Sequence, residues 1–204
     1  MVAAHEIIHE VSRKKGKGIV LKLYYEKAYD RVRWDFLDKM LCSRGFGDIW
    51  RTWIGEWLEG GSICVRLNDV NGGYFKPGKG FRQGDPLSPL LFNLVANVFT
   101  RMLMKAAGER LITGLLPEVR DGGIIILQYA DDTLLFLDNN LDKARALKWM
   151  LSCFEQLSGL KINYDKSDLV PIGMDHEETK NFAQIFCCKI GSFPFKYLWG
   201  SPLP

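Results

Sequence analysis

Six residues, Gln128-Tyr129-Ala130-Asp131-Asp132-Thr133, constrain this chain more than any other stretch. Gly122-Gly123-Ile124-Ile125-Ile126-Leu127 precedes them and Leu134-Leu135-Phe136-Leu137 follows. Two apolar, partly β-branched runs around adjacent acids predict a hairpin whose tight turn carries Asp131 and Asp132. Arms this apolar belong in a core, whereas unpaired carboxylates are costly to bury. The tip is therefore either a solvated Asp-rich turn or a place where divalent metal neutralises the acids. The remaining sequence has to decide between them.

Composition narrows the class. The chain has 204 residues, 47% hydrophobic, 25% charged and 12% aromatic, which excludes disorder and allows one sizeable domain. A net charge of +3 permits a nucleic-acid partner without arguing for one, because a binding footprint needs clustered charge. Cys42, Cys64, Cys153, Cys187 and Cys188 are odd in number and contain no CxxC pair, so reduced thiols in an intracellular protein are expected. No uninterrupted apolar run reaches the roughly 18 residues of a membrane span, and Met1–Glu10 is amphipathic rather than signal-like. No membrane partner is expected.

Periodicity predicts helices over 2–13, 34–44, 48–59, 88–107, 141–157 and 176–188, with strands over 19–25 and 62–68. Leu21 and Leu23 alternate with Lys22 and Tyr24 in the first strand. Asn68–Gly73 is expected to turn into Tyr74-Phe75, Lys161–Pro171 to be extended, and the tail from Phe193 to be short and proline-rich. No βαβ period or internal repeat appears, so the fold class is α+β.

Two further motifs bear on chemistry. His5-Glu6-Ile7-Ile8-His9 is an HExxH, which on a helix sets two zinc-binding histidines one turn apart with Glu6 as base. A peptidase would need a third ligand, and the remaining histidine, His176, stands alone. Surface histidines on an amphipathic helix are the simpler reading. The loop Gly80-Phe81-Arg82-Gln83-Gly84-Asp85-Pro86-Leu87-Ser88-Pro89 has glycines that permit close backbone approach and amides that would suit an anion before a long helix. Arg82 adds a charged donor and Gln83 an amide.

In order and spacing, the chain resembles the palm of a reverse transcriptase of the non-LTR (LINE-type) retrotransposon class, especially plant elements. Tyr24-Tyr25-Glu26-Lys27-Ala28-Tyr29-Asp30-Arg31-Val32 resembles the first block. Residues Phe81 to Phe92 resemble the second, Tyr129-Ala130-Asp131-Asp132 the third, and Ser158 to Ser167 the fourth. Tyr197 to Leu203 is a looser match to the block leading to the thumb. The resemblance implies RNA-templated extension of a DNA primer from dNTPs by a two-Mg2+ mechanism, acting in the nucleus. It implies that Asp131 and Asp132 bind metal, that Tyr29 is the ribose gate, and that Arg82, Gln83 and Gly84 shape the nucleotide and template pocket. It also makes Lys166 the candidate proton donor to pyrophosphate.

The sequence departs from the family at one decisive place. The first block usually begins Leu-Asp-aromatic-Glu-Lys-Ala, and Tyr24 stands where that metal-bridging aspartate belongs. A phenol with a pKa of about 10 is a poor magnesium ligand. Glu26 lies about 6.6–6.8 Å further along the same strand face, and Asp30 beyond the strand. Retained fold with polymerisation lost or severely reduced is therefore expected. A single palm-type domain over residues 1–204 is expected, with an antiparallel sheet, partial fingers and no complete thumb, as in a retroelement fragment. The alternatives are a catalytically silent nucleic-acid-binding module and, remotely, an HExxH zinc peptidase.

Overall fold

A computed structural model describes residues 2–129 and 132–193. In chain order the elements are α1 (Val2–Arg13), β1 (Gly18–Leu23), α2 (Ala28–Arg31), α3 (Trp34–Ser43) and α4 (Asp48–Glu59). These are followed by β2 (Arg66–Leu67), β3 (Val70–Asn71), α5 (Leu87–Gly108), β4 (Ile126–Tyr129) and β5 (Asp132–Asp138). The last are α6 (Leu141–Ser158), β6 (Asp168–Ile172), α7 (His176–Phe186) and β7 (Lys189–Ile190).

Five strands form one sheet in the order β4-β5-β1-β6-β7. β1 is central and antiparallel to both β5 and β6. The edge strand β7 runs parallel to β6, so the sheet is mixed rather than purely antiparallel. Parity sorts the core into two. Ile19, Leu21, Leu23, Leu135, Leu137 and Leu169 belong to the cluster that includes buried residues of α3, α5, α6 and α7. Val20, Leu134, Phe136, Val170 and Ile172 join Ala4, Ile7 and Val11 of α1. With both faces covered, all six residues of β1 are buried, Lys22 included. A sequence reading that alternates Lys22 to solvent misses this because α1 caps the second face.

Helix α5 is long and apolar enough to cross a membrane by length and composition, although the sequence has no uninterrupted run of that kind. Its apolarity has a local cause. Leu91, Phe92, Val95, Phe99 and Leu103 are fully buried in the core, and Phe99 stacks on Phe154 of α6 with centroids 4.8 Å apart.

Helix ends follow side-chain chemistry. Asn140 caps α6 by accepting from the amides of Asp142 and Lys143, and α6 stops where Gly159 turns left-handed. Asp175 and Glu178 form a reciprocal capping box on α7. The expected strand over 62–68 shrinks to two residues, and the expected extended run over 161–171 contains a turn before β6. Residues beyond Phe193, including the proline-rich tail and the Tyr197–Leu203 block, lie outside the described residues.

The α7 cap predicts an acid-sensitive seam. Glu178 accepts from Lys17 Nζ at 2.9 Å, from Asn139 Nδ2 at 2.9 Å and from the Asp175 amide at 3.0 Å. Lys17 first, then the Asp175 amide, holds its carboxyl below the ordinary range. A carboxyl with a lowered folded pKa contributes stability that is present above the unfolded value, about 4.3, and lost as pH falls through the folded one. Thermal midpoints measured from about pH 6 down to about pH 3 should therefore fall less steeply in Glu178→Gln than in the unaltered chain. Parallel curves would rule this contribution out.

Candidate active site

The first and fourth sequence blocks are laced together by main-chain bonds. Beyond β1, the Tyr24 amide donates to Ser167 Oγ at 3.2 Å, and the Asn163 amide donates to the Tyr24 carbonyl at 2.7 Å. Tyr25 bridges Ile162, and the Glu26 amide donates to the Lys161 carbonyl at 2.7 Å. Ser167 is fully buried and returns its hydroxyl to the Asn163 carbonyl. Lys166 sits in this turn with its amide on Asn163 and its side chain exposed.

The second block is clamped to the first. The Gly80 amide donates to the Val32 carbonyl at 2.8 Å and the Phe81 amide to the Tyr29 carbonyl at 2.7 Å. Trp34 Nε1 donates to the Gly80 carbonyl at 2.7 Å. Tyr29, from α2, stacks on Phe92 of α5 with centroids 4.8 Å apart. Arg82 donates to the Trp57 carbonyl at 3.0 Å and lies over the Trp57 ring. Gln83 reaches Asp30 at 3.5 Å, and Gly84 is exposed at a φ of 86°.

Two expectations for this loop change. Gly80 does permit a close approach, but the neighbour is the Asp30 main chain rather than a ligand. The start of α5 is also not a vacant anion site. Asp85 Oδ1 accepts from the Leu87 amide at 2.9 Å, so the helix already has its own carboxylate.

At the third block, β4 and β5 pair up to Tyr129 opposite Asp132. Gln128, Tyr129, Asp132 and Thr133 thus belong to the strands, not to the turn. Ala130 and Asp131 lie outside the described residues, and with them the principal expected metal ligand. Leu23 pairs with Thr133, so Tyr24 follows at the level of Asp132. Lys22, on the same face two residues earlier, is 5% exposed, and its Nζ lies 4.5 Å from the Tyr24 ring centroid.

Beneath the hairpin runs a polar chain that sequence reasoning missed. Thr100 donates to Gln128 Oε1 at 3.2 Å, and Gln128 Nε2 donates to the buried Thr133 hydroxyl at 3.3 Å. Tyr25 hydrogen-bonds Thr133, and desolvation pushes its phenol up to about 12 despite that bond. Gln128 and Thr133 frame the Tyr-Ala-Asp-Asp motif on both sides, which was the available signal.

A cleft of about 400 Å3 opens beside the second block, between Trp34, Trp57, Lys79, Arg82 and Gln83, with Asp30 at its wall. The HExxH motif is elsewhere. His5 and His9 are exposed on α1, and no group of three or more His, Cys, Asp or Glu side chains among the described residues is arranged to hold a metal ion.

The profile of one family, described as reverse transcriptase (RNA-dependent DNA polymerase), matches residues 1–198. The chain belongs to the reverse transcriptase family. Among relatives of this reverse transcriptase domain, the uncharacterized 149 kDa protein of transposon TX1 from Xenopus laevis is 29% identical over 163 residues, which is 79% of this chain and 12% of that protein. The Pol polyprotein of the type-2 retrotransposable element R2DM from Drosophila melanogaster is 29% identical over 157 residues, covering 75% of this chain and 14% of the relative. The domain is accordingly of the LINE type, and it spans only a small part of these relatives' length. Telomerase from Candida tropicalis, solved in complex with a fragment of telomeric RNA, shares the fold with a TM-score of 0.61 at 14% identity, covering 81% of this chain and 29% of that one.

Reverse transcriptases of this family generally use divalent metal ions. The described donors of this domain do not fit a two-ion site. Tyr24 offers a phenol at the level of Asp132, with the Lys22 Nζ against its ring. Glu26, the nearest acid in the first block, is held by Arg31 at 2.6 Å and by Lys161 at 3.9 Å. An acid engaged by two cations is poorly placed to hold a metal ion as well.

Proposed function

We propose that residues 1–204 are one palm-type domain of an RNA-directed DNA polymerase from a retroelement, in which nucleotidyl transfer is lost or severely reduced. The observation that carries this reading is Tyr24 at the level of Asp132 with the buried Lys22 stacked on its ring. The ordered blocks, their main-chain lacing and the family match support descent from a polymerase that extends a DNA primer on an RNA template with dNTPs and two Mg2+ ions. In this reading Asp131 and Asp132 are the surviving hairpin acids. Tyr29 is the ribose gate, Arg82, Gln83 and Gly84 border the nucleotide and template pocket, and Lys166 faces pyrophosphate. The alternative is a catalytically silent nucleic-acid-binding module, which salt-dependent binding to a primer–template duplex without extension would support. Primer extension on an RNA template with Mg2+ tests the proposal, comparing the unaltered chain with Tyr24→Asp. Robust DNA synthesis by the unaltered chain would sink it.

A further inference from the structure

Between α4 and α5 the chain builds a two-stranded arm that packs against little else. Asn68 and Asp69, both with positive φ, turn β2 into β3. Ile63 and Phe75 exchange two main-chain bonds near its root. Ile63, Val65, Leu67, Val70, Tyr74 and Phe75 account for six of the fourteen large apolar side chains left exposed among the described residues. Tyr74 is 72% and Phe75 51% exposed. A monomer gains nothing by presenting such a surface to water, so a partner is implied.

Charge decides its chemistry. Residues 60–83 carry Arg66, Lys76, Lys79 and Arg82 against the single acid Asp69, a net charge of +3 that equals the charge of the whole chain. Asp69 is already paired with Arg66 at 3.1 Å. The exposed aromatics are followed directly by Lys76 and Lys79, both exposed. Ile63, Pro77 and Lys79 also line the cleft that holds Arg82 and Gln83, so the arm and the second block share one continuous surface. Aromatic faces interleaved with cations bind single strands by stacking on bases and neutralising phosphates, without base-edge readout.

We infer that the arm is a docking platform for single-stranded RNA, the template not yet paired to primer, with Tyr74 and Phe75 as stacking faces and Lys76 and Lys79 as phosphate contacts. This rests on the nucleic-acid-binding reading above and extends it beyond the polymerase groove. Phe75 is bridged to Ile63, which lines the cleft, so the stacking faces lie beside the second block.

Fluorescence anisotropy with two probes tests it: a blunt primer–template duplex, and the same duplex with a 5′ RNA overhang. The full chain should bind the overhang duplex more tightly. Tyr74→Ala with Phe75→Ala should abolish that preference, at about fivefold or more per aromatic, while leaving blunt-duplex affinity and the salt slope unchanged. Lys76→Ala with Lys79→Ala should lower the slope of log K against log salt by about 1.4, the single-strand value for two phosphates. A photoreactive overhang should crosslink to the peptide that contains Tyr74 and Phe75. Overhang binding unaffected by the aromatic pair, with no crosslink there, would overturn the inference while leaving the nucleic-acid reading standing, and would give the apolar arm to a protein partner. No binding of either probe would overturn both.

Discussion

Tyr24→Asp is expected to raise the rate of primer extension by on the order of 10³-fold or more, the scale on which losing one ligand of a two-metal clamp acts. The carboxylate would enter at the level of Asp132 and next to the Lys22 ammonium, which would favour its ionised form. The change removes a bulky ring and leaves the main-chain bonds of position 24 in place. A matched melting temperature for the two chains is the control for folding, and equal duplex affinity the control for binding. An aspartate variant that binds duplex normally yet extends no faster would remove Tyr24 as the cause of silence. Glu26→Gln serves as a further check. Its carboxylate is engaged by Arg31 and Lys161, so its loss should leave the gain at position 24 intact.

The second large effect is on folding. Gly80→Ala should destabilise the chain by about 3 kcal/mol, seen as a fall of roughly 10 °C in melting temperature. Gly80 has a φ of 82°, and a Cβ there would lie 2.6 Å from the Asp30 carbonyl oxygen and 2.8 Å from its Cα. Both are main-chain atoms that cannot swing aside. The strain would pull on the bonds from Gly80 and Phe81 to Val32 and Tyr29, which hold the first two blocks together. Gly84→Ala is the matched comparison, because its φ is 86° but a Cβ would meet nothing within 4 Å. It should cost about 1 kcal/mol, the conformational term alone. Equal losses in the two variants would mean that the loop is not docked on α2.

Much of this was legible in the sequence, and the rest has identifiable reasons. Helices α1, α3, α4, α5, α6 and α7 follow their apolar periodicity to within a residue or two, because each buries one face in one of the two core clusters. The two-residue β3 and β7 escaped because so short a strand has no period to read, and β2 keeps only two residues of the strand expected over 62–68. The four-residue α2 was hidden for the same reason. The hairpin was visible, but its strands reach closer to the acids than the apolar runs imply. Gln128 and Thr133 are polar yet inside, each satisfying the other. Lys22 read as solvent-facing because nothing in β1 itself announces α1 above it. Of the site, the order of blocks and the anomaly at Tyr24 were readable from residue types alone. Their lacing through Asn163, Gly80 and Phe81 is main-chain geometry, which side-chain patterns do not encode, and Ser167 joins it through its hydroxyl.

That lacing bears on how such a chain drifts. Position 24 is held through its amide and carbonyl, by Ser167 and Asn163, while its ring lies against the Lys22 side chain. Any L-residue other than proline can make the same two bonds there. Those main-chain bonds are therefore open to an aspartate and to a tyrosine alike. Chemistry and architecture are under separate constraint here. A domain built this way can change the side chain at such a position while its main-chain lacing stays the same.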